Sequence, residues 1–106
     1  MRKIDALITR RTEDRRRKAQ ECVSQILRAA QRNGYRISLV GSLAADRFRL
    51  HSDVDLLVHD AIGDVQRSAL ERLVADHFRE ADIPYDLIYA SDLSPERVRD
   101  MLNDHV

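Results

Sequence analysis

The chain has 106 residues, 43% of them apolar and 34% charged, with zero formal net charge. That length suits one domain around one core, and the composition excludes a disordered polyelectrolyte. No apolar stretch reaches membrane-spanning length, the start Met1-Arg2-Lys3-Ile4-Asp5 lacks a signal-peptide run, and the single cysteine cannot make an internal disulfide. A cytoplasmic domain spanning residues 1–106 is the expectation.

Charge is unevenly placed. Residues 1–50 hold 13 Lys+Arg against 5 Asp+Glu, a balance of +8, and residues 51–106 hold 5 against 13, a balance of −8. An acidic half that binds metal and a basic half that holds phosphates would fit a nucleotide enzyme, and two halves that merely attract each other would show the same pattern.

In chain order, Ile4, Leu7 and Ile8 predict a short N-terminal turn of helix. Thr12, followed by Glu13 and Asp14, reads as a fresh helix start with a capping hydroxyl and acids at the positive dipole end. From there Ala19, Cys22, Val23, Ile26, Leu27 and Ala30 recur at helical spacing, and Asn33-Gly34 ends the helix. Cys22 lies on this stripe and reads as a core residue.

Ile37 to Val40 is a short strand running into Gly41-Ser42, where Ser42 is placed to cap a short helix through about Phe48. Val54 to His59 is the second strand and Asp60 to Gly63 a turn. A helix opens at Asp64 with the stripe Leu70, Leu73, Val74, His77 and Phe78. Pro84 leads into the strand Tyr85-Asp86-Leu87-Ile88-Tyr89, and Ser94-Pro95-Glu96 starts a last helix. The order α, β, α, β, α, β, α, without repeat or linker, predicts one α/β domain.

The chemistry concentrates in Gly41-Ser42, a ten-residue interval, and Asp53-Val54-Asp55. Carboxylates at i and i+2 on a strand share a face roughly 6.5–7 Å apart at Cα. Val54, Leu56 and Val58 then point the other way, into a core. Acids side by side raise one another's pKa unless a cation sits between them, and hard oxygens suit Mg²⁺ or Mn²⁺. Gly41 and Ser42 offer backbone N–H groups and a hydroxyl to a phosphate chain on that metal. Asp86, inside an apolar strand, completes a three-carboxylate set if its strand lies beside the second. Such a set reads as a two-metal site, with Asp53 and Asp55 bridging the ions and Asp86 taking the acceptor's proton.

The stretch from Gly41 to Val58, with Asp86 in Ile83-Pro84-Tyr85-Asp86-Leu87-Ile88, resembles the signature of polymerase-beta-type nucleotidyltransferases. It is similar in particular to the minimal nucleotidyltransferase (MNT) family, over most of the chain from about Thr12 onward. The resemblance implies a small mixed sheet flanked by helices, two Mg²⁺ ions, ATP or another nucleoside triphosphate as donor, and transfer of a nucleoside monophosphate to a hydroxyl. Members of this size are often antitoxins paired with a HEPN-type toxin, which they silence by transferring AMP to a tyrosine. The sequence departs from the family run Gly-Ser-x-Ala-Arg-Gly at Leu43, Ala44, Ala45 and Asp46. Ala45 stands where the phosphate-binding arginine would be, so Arg47 or Arg49 is the candidate replacement. Asp46 would repel phosphates unless it turns outward or pairs with Arg47 or Arg49.

Two other readings accompany this one: a catalytically inert module that acts by complex formation, and a transferase acting on RNA ends or a small molecule. His51 and His59 flank the acids without the spacing of zinc ligands, and His77 reads as packing. The run Arg10 to Lys18 is a solvated helix face with pairs such as Asp14–Lys18 and Arg17–Glu21, or a surface for a partner or a second copy. No aromatic residue interleaves it, so a nucleic-acid groove has weak support.

Overall fold

The computed structural model describes residues 3–103, with side chains from residue 6. The first helix, α1, runs unbroken over Lys3–Arg32. At about 1.5 Å per residue it is about 45 Å long. The expected helix start at Thr12 is absent: its hydroxyl donates back to the Ile8 carbonyl at 2.9 Å, the bond a threonine makes inside a helix. Glu13 and Asp14 are interior positions, facing Arg16 at 3.8 Å and Arg17 at 4.0 Å. The acid at 14 therefore pairs at i,i+3 with Arg17 in place of Lys18. Leu7 and Ile8 of the extra turns are half exposed, and the side chain of Ile4, assigned to the same turn, lies outside the described residues.

The end of α1 follows its sequence signal. Gly34 adopts φ +84°, the Tyr35 N–H donates to the Ala30 carbonyl at 2.9 Å, and the Gly34 N–H donates to Gln31 at 3.1 Å. These two bonds close a Schellman motif, and glycine takes the left-handed position that a side chain would strain.

The chain then forms β1 (Ile37–Val40), a single turn α2 (Gly41–Ala44), β2 (Val54–Val58), α3 (Asp64–Phe78), β3 (Tyr85–Tyr89), a 3₁₀ turn (Ala90–Asp92) and α4 (Pro95–Asn103). The sheet order is β1-β2-β3, with β1 antiparallel and β3 parallel to β2. A parallel pair needs a crossover, which α3 supplies. α2 is shorter than its expected span to Phe48, and Ser42 lies within it, with Val40 at the capping position.

α1 and α3 cover one sheet face. Ala19, Val23 and Ile26 from α1 and Leu70, Val74 and Phe78 from α3 pack with Val54, Leu56, Val58 and Tyr89. The alternation expected for β2 is realised: its even positions enter this cluster. Leu57, on the other face, is also fully buried, and α4 packs against β1. α4 begins as its sequence predicts, with the Ser94 hydroxyl accepting from the Arg97 N–H at 3.2 Å.

Candidate active site

Strand pairing brings the acids together. Asp55 is the register partner of Asp86 across β2 and β3, and of Val40 across β2 and β1. Adjacent strands are about 4.8 Å apart and register partners share a face. Asp53 stands one residue before β2 and is exposed, as is Asp86, whereas Asp55 is half buried.

Gly41 closes the other side of Asp55. Its φ is +77°, and a Cβ on it would overlap the Asp55 carboxylate, lying 3.1 Å from Cγ and 3.2 Å from Cβ. The glycine is thus needed twice over, for its backbone conformation and for the space the acid occupies. This explains Gly41 directly after β1: the turn must double back where the neighbouring strand presents Asp55.

The electrostatics agree with this placement. Burial pushes the Asp55 carboxyl above the ordinary range, and the charges of Asp86 and then Asp53 push it further. Among the described residues, no three His, Cys, Asp or Glu side chains are grouped to ligate an ion as they stand. The donor chemistry nevertheless suits a divalent cation: hard carboxylates near one end of the sheet, one of them close to Gly41, whose mutual repulsion such an ion would offset.

The phosphate-binding candidates divide. Ser42 sits beside Gly41 in α2, and its carbonyl accepts from the Arg47 N–H at 2.7 Å. Arg47 and Arg49 are exposed and line a separate cavity of about 540 Å³ between α1 and the 46–51 loop. Asp46 adopts φ +59° and forms an ion pair with Arg16 of α1. The loop's other anchors are the buried Phe48 and the Ser52 hydroxyl, which accepts from the Arg49 N–H at 2.8 Å.

Two residues of the basic run therefore do more than face water. Arg16 holds Asp46, and Arg15 donates to the Ser52 carbonyl at 2.9 Å while standing 5.7 Å from the Phe48 ring centre. Arg15 is four residues before Ala19 and seven before Cys22, so its place on the inward stripe was a signal available in the sequence. Two of the histidines serve packing and hydrogen bonding away from the acids. His59 Nε2 is 2.6 Å from the Ser38 hydroxyl, and His77 Nδ1 is 2.8 Å from the Leu73 carbonyl. Cys22 packs against the core, and burial raises its thiol pKa.

A family model described as a nucleotidyltransferase domain matches residues 10–106. No curated protein and no solved structure matches the chain.

Proposed function

The chain belongs to the nucleotidyltransferase-domain family, and on that premise we propose that it transfers AMP from ATP to a hydroxyl of a HEPN-type partner, as the antitoxin of such a pair. The observation that carries this reading is the meeting of Asp55 with Asp86 in register while Gly41 encloses the Asp55 carboxylate.

In this reaction the acceptor oxygen forms a bond to the α-phosphorus of ATP. The bond from that phosphorus to the bridging oxygen breaks, and pyrophosphate leaves. Asp86, exposed at the second position of β3, takes the acceptor's proton. Asp53, Asp55 and Asp86 are the residues that would hold Mg²⁺, which when bound would neutralise charge on the triphosphate and the departing pyrophosphate. The Ser42 hydroxyl and the backbone N–H groups at the start of α2 orient the phosphates. Asp55 is the pivotal acid: it is half buried, and its carboxylate occupies the space that a side chain at position 41 would need.

The test is transfer of label from α-³²P-ATP onto a co-purified HEPN protein in the presence of Mg²⁺. Wild type is expected to label the partner, and Asp55→Asn to lower the rate at least 100-fold. A partner neutralised equally by wild type and by an Asp53→Ala, Asp55→Ala double variant would refute catalysis as the active principle.

The second reading, an inert module acting by complex formation, draws on Ala45, which leaves no arginine at that position, while the ion pair of Asp46 with Arg16 relieves the repulsion that Asp46 would offer to phosphates. Under it, calorimetry would find no Mg²⁺-dependent ATP binding, yet the complex would still form.

A further inference from the structure

Around the same strand ends that carry the acids lies a cavity of about 690 Å³. Its wall joins Arg15 of α1, His51, Phe78 and Arg79 at the end of α3, and Asp82 and Tyr85 at the entry to β3. These residues adjoin the acids in sequence: His51 is two before Asp53, and Tyr85 is one before Asp86. Because side chains alternate along β3, Tyr85 turns to the helix-covered face while Asp86 turns to the acid face. The cavity and the acids are therefore back to back on one end of the sheet.

The lining is chemically mixed. Arg15 spends one N–H on the Ser52 carbonyl, and its Nε is buried with no hydrogen-bond partner. Arg79 reaches Asp76 at 2.7 Å from a largely exposed position, which leaves much of its donor fork available. Phe78 is buried in the core and stacks on one face of the partly buried Tyr85, with ring centres 5.0 Å apart and planes 12° apart, so Tyr85 is the aromatic ring that reaches the cavity surface. Asp82, held at φ +52°, adds one acceptor among these donors.

We propose that this cavity is a second nucleotide site, one that takes a nucleoside monophosphate unit by its phosphate and needs neither the donor triphosphate nor Mg²⁺. Arg15 and Arg79 receive the phosphate, since guanidinium forks match its oxygens. Asp82 accepts from a sugar hydroxyl or a base amino group, and the base lies toward the partly exposed Tyr85 ring, which Phe78 backs from the core. A bare polyphosphate would meet Asp82 as a like charge, and a purely apolar ligand would offer nothing to the half-buried Arg15 guanidinium, whose Nε has no partner. A nucleotide answers all three features, and the volume lies within the range of sites for ligands of that size. The unit has two sources, a free mononucleotide or the terminal nucleotide of an RNA strand.

The test is calorimetric titration of the full chain in metal-free buffer with EDTA, using AMP, adenosine, inorganic phosphate and a short oligoribonucleotide. AMP is expected to bind at least ~10-fold more tightly than adenosine or phosphate. Arg15→Gln and Arg79→Gln are each expected to weaken AMP about 10-fold, a loss typical of one charge-assisted contact. Asp55→Asn leaves this binding unchanged, because the cavity does not include Asp55. Arg79 is exposed, so its variant reports on the site even if Arg15→Gln disturbs the Ser52 loop.

An oligoribonucleotide that outcompetes AMP identifies the strand end as the source. Equal affinity identifies the free nucleotide, and either result supports the site. The proposal is overturned if AMP does not bind, if phosphate alone binds as well as AMP, or if Asp55→Asn abolishes binding that both arginine variants retain. Because no donor is present, an inactive transferase would leave these outcomes unaltered.

Discussion

Replacing Gly41 by alanine adds one methyl group at the point where β1 turns back beside β2. Two costs follow. Alanine in the left-handed region costs about 1–2 kcal/mol relative to a residue at negative φ. The new Cβ must also displace Asp55: the overlapping carboxylate oxygen has to swing away, and Cγ and Cβ, at 3.1 and 3.2 Å, have to give by a few tenths of an ångström. Forcing a group into such a space costs about 1–3 kcal/mol more. The sum, roughly 2–5 kcal/mol, is a large part of the stability of a small domain. For a domain near 100 residues, a loss of 2 kcal/mol lowers Tm by roughly 8–16 °C.

A double-mutant cycle separates the two costs. In an Asp55→Ala background the carboxylate is gone, so Gly41→Ala should lose mainly its backbone cost. Urea unfolding followed by circular dichroism, in metal-free buffer, is expected to give a coupling of about 1–3 kcal/mol between the two positions. If Gly41→Ala costs the same in both backgrounds to within about 0.5 kcal/mol, the contact between Gly41 and Asp55 is not what fixes the glycine, and the reasoning fails.

Asp55→Asn should stabilise the metal-free protein at pH 7 while abolishing transfer, since it removes a half-buried charge beside two others. For charges about 6 Å apart at an effective dielectric of about 40–80 the gain is about 1 kcal/mol, and a lower melting temperature for the variant would contradict it. Ser94→Ala should lose about 1 kcal/mol as the first turn of α4 loses its cap, read as faster hydrogen exchange there, with Ser94→Asp restoring protection. Asp92 accepts from Arg67 at 2.8 and 2.9 Å, and these bonds hold its carboxyl below the ordinary value of 3.8. Its folded value is depressed, so its stabilising contribution is present above pH 3.8 and is lost as pH falls through the folded value. A carbon-detected titration should place Asp92 below 3.8 in wild type and return it to that value in Arg67→Gln.

Much of this architecture is readable from local pattern. The alternation of Val54, Leu56 and Val58 sets which face of β2 is core, and it leaves Asp53 and Asp55 on the other. Asn33-Gly34 and Ser94-Pro95 announce helix ends through bonds made within a few residues. Thr12 misleads because a threonine hydroxyl serves equally as a cap or as a back-bonded interior group, and continuous helical propensity on both sides settles it. Ser42 misleads because the turn already starts at Gly41, with Val40 at the capping position, and the helix stops before Asp46, which takes a left-handed φ of +59°. The partnerships of Arg15 with Ser52 and Arg16 with Asp46 span 37 and 30 positions of sequence. No local rule reaches that far, and a run of arginines looks the same whether it faces water or a loop.

The position of β3 at the end of the sheet has a consequence for solubility. A terminal strand presents a row of unpaired N–H and carbonyl groups, and Tyr85-Asp86-Leu87-Ile88-Tyr89 has the aromatic and branched content that recruits other strands. Asp86 is the one charge in that segment, and it is exposed. Two copies pairing edge to edge would each add an Asp86 carboxylate to the new sheet, setting like charges against the pairing. The acid assigned to proton transfer therefore also acts as a gatekeeper against self-assembly. A knockout made as Asp86→Leu would test aggregation as much as chemistry, and Asp86→Asn keeps the polar group while removing the base.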